Sequence, residues 1–246
     1  PPNYEILHVI PRSFSVDNQA HIKDPVGMTG IRLEVDAQMI MGLSAQIKNM
    51  TKSVYRTSVD IEDLVLGILA CGESVLTKRQ KELGVALLNI GASTASLMVF
   101  EEGDVIHTKV LPVGAGHITN DIAIGLRTSI DVAEKVKLEH GTTDPETLEK
   151  DEEIYLNTID EAESGAVSRK HIAEIIQARV EEMFKMVDDE LRRIDRSGTL
   201  PAGVILTGGG AKLPGIVTQA KRSFRLPAQM GLPKNTEERN FIVQTA

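Results

Sequence analysis

The stretch Gly84-Val85-Ala86-Leu87-Leu88-Asn89-Ile90 constrains the fold more than any other part of the chain. A nearly continuous apolar run of this length reads as a strand covered on both faces, as in a sheet with helices above and below it. The residues downstream agree. Residues 95–100 and 105–111 read as two strands joined by Glu101-Glu102-Gly103-Asp104, a hairpin turn. Helices follow at about 117–126 and 129–140, the second with Ser129 as N-cap and Gly141 just past its end. Ile172, Ile175, Ile176, Val180, Met183, Val187, Leu191 and Ile194 form the apolar stripe of a longer helix. Read over 168–194 with Ser168 as its cap, that helix would be about 40 Å long. The last unit is a strand over 203–207, then Gly208-Gly209-Gly210, then a helix near 214–223. The sum is an α/β lobe.

The N-terminal third has a different texture. Residues 4–16 read as extended, with Ile6, Leu7, Val9 and Ile10 ahead of Pro11. After the loop Asp24-Pro25-Val26-Gly27-Met28-Thr29-Gly30, Ile31, Leu33 and Val35 alternate with Arg32 and Glu34, the period of a half-buried strand. Leu43, Ile47, Met50 and Val54 then share one helical face. Residues 1–57 thus read as a small α+β unit. Residues 58–83 connect it to the lobe through a short strand at Leu64-Val65-Leu66 and a helix over 69–76.

Charge and composition exclude several functions. The net charge of −8 sits in one place: from Thr142 to Gly165 there are nine acids and a single base, Lys150. That segment reads as a solvated surface excursion. A chain with this balance, five Phe, three Tyr and no Trp is a poor nucleic-acid binder. One cysteine rules out an internal disulfide framework, and Cys71 lies on an apolar helix face as a core residue. The six histidines have no paired metal spacing, and the acidic segment lacks the ladder of a calcium loop. No apolar run is long enough to span a bilayer.

Two glycine-bearing turns carry the chemistry. The first, Asn89-Ile90-Gly91-Ala92-Ser93-Thr94, joins two strands, where backbone N–H groups of Gly91, Ser93 and Thr94 can face a phosphate. The second, Leu206-Thr207-Gly208-Gly209-Gly210-Ala211-Lys212, joins a strand to a helix, where glycines admit a ligand close to the backbone. It is neither a P-loop nor a dinucleotide fingerprint. Gly91 and Gly208 are 117 residues apart. Between them, Glu134 and Lys137 share a helical face.

This arrangement resembles the actin/Hsp70/sugar-kinase superfamily, with its phosphate turn, glycine-rich adenosine loop and intervening Glu-x-x-Lys pair. The match narrows at 24–34, at His117-Ile118-Thr119-Asn120-Asp121-Ile122-Ala123-Ile124-Gly125-Leu126-Arg127-Thr128, and at Leu200-Pro201-Ala202-Gly203 with the following strand and glycines. There, and over roughly 3–233, the chain resembles the FtsA family of bacterial cell-division proteins. The resemblance implies an actin-like, ribonuclease-H-like ATPase-type fold. Residues 1–57 would be the inserted subdomain 1C, 58–83 a remnant of the first lobe, and 84–246 the second lobe, with subdomain 2B inserted at about 129–200. It implies a nucleotide site at Gly91, Ser93, Thr94, Glu134, Lys137, Gly208, Gly209, Gly210 and Ala211, with ATP as the expected ligand. It also implies binding to the C-terminal tail of the tubulin-like protein FtsZ, self-association into filaments, and contacts to later division proteins through the 1C-like unit. The location implied is cytoplasmic, at the inner face of the plasma membrane, through a C-terminal amphipathic helix that does not appear after Phe241.

The family's phosphate turn reads Asp-Ile-Gly-Gly-Gly-Thr-Thr-Asp. Here Asn89 and Ser96 replace both acids, and Gly67-Ile68 stand where the family's hinge carries Glu-Pro. The first phosphate hairpin has no counterpart. Magnesium's usual ligands are therefore lost, and the expectation is a scaffold without appreciable ATPase activity. The alternatives are an active ATPase or phosphotransferase of the superfamily, or a pilus-assembly adaptor.

Overall fold

The computed structural model describes residues 3–149, 151–161, 163 and 165–233. Lys150, the end of the proposed second lobe and the region beyond Phe241 lie outside the described residues.

The lobe is built on a five-stranded sheet. Its strands are β4 (Val85–Ile90), β5 (Ala95–Glu101), β6 (Asp104–Leu111), β9 (Val204–Thr207) and β10 (Ala228–Met230), in the order β10-β9-β4-β5-β6. β4 is central, antiparallel to β5 and parallel to β9. Its apolar run does what the sequence predicts. Ala86, Leu88 and Ile90 face one buried cluster, while Val85 and Leu87 face another.

The first cluster lies under α4 (Ala115–Leu126), α5 (Ile130–His140), α6 (Arg169–Arg193) and α7 (Ile216–Phe224). α6 is 25 residues long and buries Ile172, Ile176, Val180, Met183, Phe184, Val187 and Leu191 without residual exposure. Its Phe184 ring meets that of Phe224, with centroids 4.9 Å apart. The second cluster is covered by α2 (Gly67–Val75), whose Gly72 sits against Phe100 so closely that a Cβ would come within 3.1 Å of the ring. Cys71 is half-buried beside this cluster, and burial pushes its thiol pKa up.

The N-terminal unit is a separate three-stranded sheet in the order β2-β1-β3, with β1 (Tyr4–Val16), β2 (Gln19–Ile22), β3 (Leu33–Leu43) and the helix α1 (Ser44–Tyr55). β1 and β3 pair along their full lengths, with bulges at 6–8 and 11–13. Pro11 sits beside the second bulge, on a strand whose far edge is paired to β2 only near Phe14 and Val16, so its missing N–H breaks nothing.

Three local expectations are corrected. Residues 64–66 form no strand; Leu66 is the extended residue that precedes α2, and no neighbouring strand among the described residues offers it a ladder. Ser168 caps nothing with its side chain, because it is the last residue of β8 (Ala166–Ser168), paired to β7 (Glu153–Tyr155). The acidic segment is not wholly solvated. Ile154 and Leu156 are buried in it, and Asp144, Glu146 and Glu152 pair with Arg222, Lys170 and Arg169.

Candidate functional site

At the carboxyl end of β4 the chain turns through 91–94, with the Gly91 N–H donating to the Thr94 carbonyl at 2.9 Å. α4 starts beside this turn. The Ala115 N–H donates to the Gly91 carbonyl at 2.8 Å, and the Gly116 N–H to the Ala92 carbonyl at 2.7 Å. A Cβ on Gly114 or Gly116 would meet those carbonyls at 2.6 and 2.9 Å, so the contact needs glycine on both sides of Ala115. The Gly114 N–H is taken by the His117 ring Nδ1 at 3.2 Å. The amino end of α4 is thereby satisfied inside the protein. What remains open is the turn itself: the N–H groups of Ala92, Ser93 and Thr94 find no acceptor among the described residues. Consecutive free amides on an exposed turn form a concavity that holds anions.

The glycine-rich loop lies across from it. Gly208 has φ +90° and sits on the end of β4, where a Cβ would meet Asn89 Oδ1 at 2.4 Å and the Ile90 carbonyl at 2.5 Å. Gly210 is packed against Ile90 and Ala115. Of the three, only Gly209 has no atom within 4 Å of the place a Cβ would take, which leaves it free for a ligand to approach. Two of the three glycines therefore serve the protein's own packing.

The third wall is α5. Lys137 is 8% exposed, and its ammonium donates to Thr119 Oγ1 at 2.8 Å, to Glu134 Oε2 at 2.6 Å and to the Ala115 carbonyl at 3.4 Å. Thr119 Oγ1 donates to the same Glu134 oxygen at 2.5 Å. Burial raises the Glu134 pKa, but the hydrogen bonds from Lys137 and Thr119 and the lysine's charge outweigh it, and the net direction is down. Glu134 is thus held ionised with one oxygen committed, on a side chain that lines the cavity and can accept from a hydroxyl.

These elements enclose a cavity of about 550 Å³, within the range of small-molecule sites. Of the expected residues, Gly91, Glu134, Lys137, Gly209 and Gly210 line it. Ser93 lines an adjoining hollow with Ala92 and Glu134. Thr94 and Gly208 lie at the two turns without lining the cavity, and Ala211 is buried in the core at 1% exposure. Sequence reasoning missed Ala92, Ala115, Gly116, Ile118, Leu138, Lys212, Leu213 and Pro214, which complete the wall with largely aliphatic surface. The His117–Asp121 run supplies four separate contacts around the site. His117 closes the helix start, Ile118 lines the cavity, Thr119 fixes Glu134, and Asp121 grips Arg179 of α6 through two bonds of 2.5 and 2.8 Å.

The strand positions flanking the phosphate turn carry no charge. Asn89 and Ser96 stand directly opposite each other on β4 and β5, both neutral. Glu134 is engaged by Lys137 and Thr119. Among the described residues no group of three His, Cys, Asp or Glu side chains is placed to hold an ion.

Comparison with known proteins places the chain. The family description "Cell division protein FtsA" matches residues 86–246, and "SHS2 domain inserted in FTSA" matches residues 1–41. The chain belongs to the FtsA family of cell division proteins. FtsA of Pseudomonas aeruginosa is 34% identical over 244 residues, 99% of this chain and 58% of that protein. FtsA of Bacillus subtilis is 39% identical over 216 residues, 88% of this chain and 49% of that protein, and FtsA of Escherichia coli is 33% identical over 239 residues, 94% and 57% respectively. The chain thus spans between about half and three fifths of the length of these FtsA relatives. Among solved structures, a PilM–PilN type IV pilus biogenesis complex superposes with TM-score 0.68 at 14% identity, covering 94% of this chain and 56% of that one. MreB 5 of Spiroplasma citri bound to AMPPNP superposes with TM-score 0.57 at 20% identity, covering 77% and 60%. At such identities the likeness is one of fold: this FtsA-family chain is actin-like, as its sequence resemblance implies.

Proposed function

We propose that this FtsA-family chain is the nucleotide-holding and docking portion of a division scaffold, with weak ATP binding and no appreciable hydrolysis. The observation that carries the reading is the contrast between the cavity and the strand positions just before and after its phosphate turn. The nucleoside side keeps an ionised, anchored Glu134 and an open Gly209, while the positions beside the phosphate turn are the neutral Asn89 and Ser96. Phosphoryl transfer depends on positioning and on neutralising charge. Loss of one well-placed stabilising group commonly costs about 10²–10³ in rate, so two such losses remove most of the catalysis.

In this reading the adenosine enters the aliphatic part of the cavity, a ribose hydroxyl donates to Glu134, and phosphate oxygens accept from the amides of 92–94. Family membership supports the partners: the C-terminal tail of FtsZ, further copies in a filament, and later division proteins reached through the N-terminal unit. No described helix is long and apolar enough to cross a membrane. Family membership likewise supports a place at the inner face of the plasma membrane.

Two measurements test it. Titration calorimetry with ATP should give a dissociation constant in the micromolar to millimolar range, about −4 to −8 kcal/mol, and phosphate release should stay at the buffer rate. Turnover on the order of 1 s⁻¹ would establish an ATPase instead. An immobilised peptide of the FtsZ C-terminal tail should retain the chain; failure to retain it, or a longer family protein containing it, removes the linking role.

A further inference from the structure

We infer that Thr119 is a positioning residue for the nucleotide: together with Lys137 it holds Glu134 where the carboxylate selects a ribose by the sugar's hydroxyl pair. The inference rests on the nucleotide reading above and concerns how the site tells a ribose from a sugar that lacks those hydroxyls.

Glu134 needs support to act as a selective acceptor. Its side chain is 43% exposed, and a glutamate left to itself in water samples many rotamers. A sugar hydroxyl would then have to order its acceptor before gaining anything from it. The structure removes that freedom. Glu134 Oε2 takes one hydrogen bond from Lys137 Nζ at 2.6 Å and another from Thr119 Oγ1 at 2.5 Å. Thr119 Oγ1 in turn accepts from Lys137 Nζ at 2.8 Å, so the three side chains close a ring. Glu134 Oε1 has no hydrogen-bond partner among the described residues and keeps its acceptor capacity.

The two supporting groups are used up in this task. An ammonium has three donors, and those of Lys137 go to Glu134, Thr119 and the Ala115 carbonyl. Thr119 is 3% exposed and lies in the wall of the adjoining hollow, not in the lining of the main cavity. Its route to a ligand in that cavity runs through Glu134. Thr119 also stands one helical turn beyond Ala115 on α4. The Ala115 N–H holds the Gly91 carbonyl at 2.8 Å, and its carbonyl takes Lys137. One turn of α4 thereby sets the spacing between the phosphate turn and the carboxylate, the two places that a nucleoside phosphate must reach at once. A serine at position 119 can repeat the hydroxyl contacts. A valine has nearly the same shape and can make neither.

The test compares the dissociation constants of ATP and 2′,3′-dideoxy-ATP, measured by calorimetry in one buffer. A site that hydrogen-bonds a hydroxyl rejects the analogue lacking it, so the native chain should favour ATP by about tenfold. Thr119→Val should bring that preference to about twofold or less, and Thr119→Ser should keep it near the native value. Thr119→Ala reads the same preference if the valine variant does not fold. The comparison is made within each variant, so a general loss of affinity cancels. A merely structural role would weaken both nucleotides alike and leave the preference at about tenfold; that result overturns the inference. A native chain that binds both nucleotides equally would overturn it too, while leaving nucleotide binding in place. Absence of ATP binding by the native chain would instead overturn the nucleotide reading itself.

Discussion

The two units of this chain bury their apolar residues to very different extents. In the lobe, β4 is enclosed on both faces and the long helix α6 lays seven fully covered apolar side chains on the sheet. In the N-terminal unit only Val16 and Ile40 are buried hydrophobics among the described residues. There the cross-strand pairs Tyr4/Leu43, Ile6/Met41 and Val9/Met39 stand in solvent, with Ile6 at 59% exposure and Met39 at 58%. The helix α1 buries no residue at all, although Ile47 reaches over Gly42 toward Leu7. The lobe therefore owes its stability to its own core. The N-terminal unit is held mainly by strand pairing and displays an apolar face of the kind that marks an interaction surface. That division is what the proposed scaffold would need: a cleft backed by a buried core in one part and an exposed apolar face in the other.

The largest effects should separate the units by stability. Leu88→Ala removes a fully buried side chain between β4 and the helices and should cost about 2–5 kcal/mol. Ile6→Ala, on the exposed face, should cost less than about 0.5 kcal/mol. Urea denaturation followed by circular dichroism reads both. Equal losses would mean that the N-terminal unit has a core of its own and would break the comparison.

Within the site, the glycines sharpen it. Gly208→Ala forces a side chain onto φ +90° and into Asn89 and Ile90, and should destabilise the lobe by about 1–3 kcal/mol. Gly209→Ala meets nothing in the protein and should leave the melting temperature within a degree or so while weakening ATP binding. The reverse pattern, measured by thermal melts and calorimetry side by side, would show that Gly208 is the ligand-facing position.

Much of the lobe was legible in the sequence because its signals are local and periodic. The β4 run, the hairpin around Gly103, the Ser129 cap and the stripe of α6 each appear where patterning placed them. Ser129 Oγ does accept from the Val132 N–H, at 3.2 Å. α3 (Lys78–Leu83) was missed, although its signature was present: Thr77 and Gln80 form a reciprocal capping box. The false strand at 64–66 shows the opposite failure, in which three apolar residues look like a strand but no described neighbour pairs with them. The site was legible only in part. Spacing put Glu134 and Lys137 on one face, yet nothing in the sequence says that Lys137 is buried, or that Thr119 from another helix completes the cluster. The aliphatic wall of Ile118, Leu138 and Leu213 could not be read either, since apolar residues near a turn look the same whether they pack a core or line a cavity.

The exposed face should respond in binding where it does not respond in stability. Ile6→Lys with Met41→Lys places two charges on directly opposed positions of β1 and β3. If this face also carries the contacts between copies proposed for the filament, self-association measured by sedimentation velocity should weaken by about tenfold. The lobe's melting transition should be unchanged. Weakened association accompanied by a lowered lobe transition would instead mean that the two units stabilise each other.

The smallest expected effect is a pH dependence confined to the lobe. The Glu134 carboxyl has a folded-state pKa below its ordinary value, which is about 4.3. A group shifted this way binds fewer protons when folded than when unfolded, so its contribution to stability is present above the ordinary value and is lost as pH falls through the depressed one. Its side chain is 43% exposed, so solvent screens the interaction and the contribution stays at or below about 1 kcal/mol. Glu134→Gln mimics the protonated acid in shape. The stability gap between the native chain and this variant should therefore be constant from about pH 6 to 8 and shrink below about pH 4. Ile6→Ala, which removes no titrating group, should show a flat gap over the same interval. A Glu134→Gln gap that persists unchanged into acid would mean that the loss comes from packing around Lys137 rather than from the carboxylate's charge, and that the cleft's polar wall is held by shape alone.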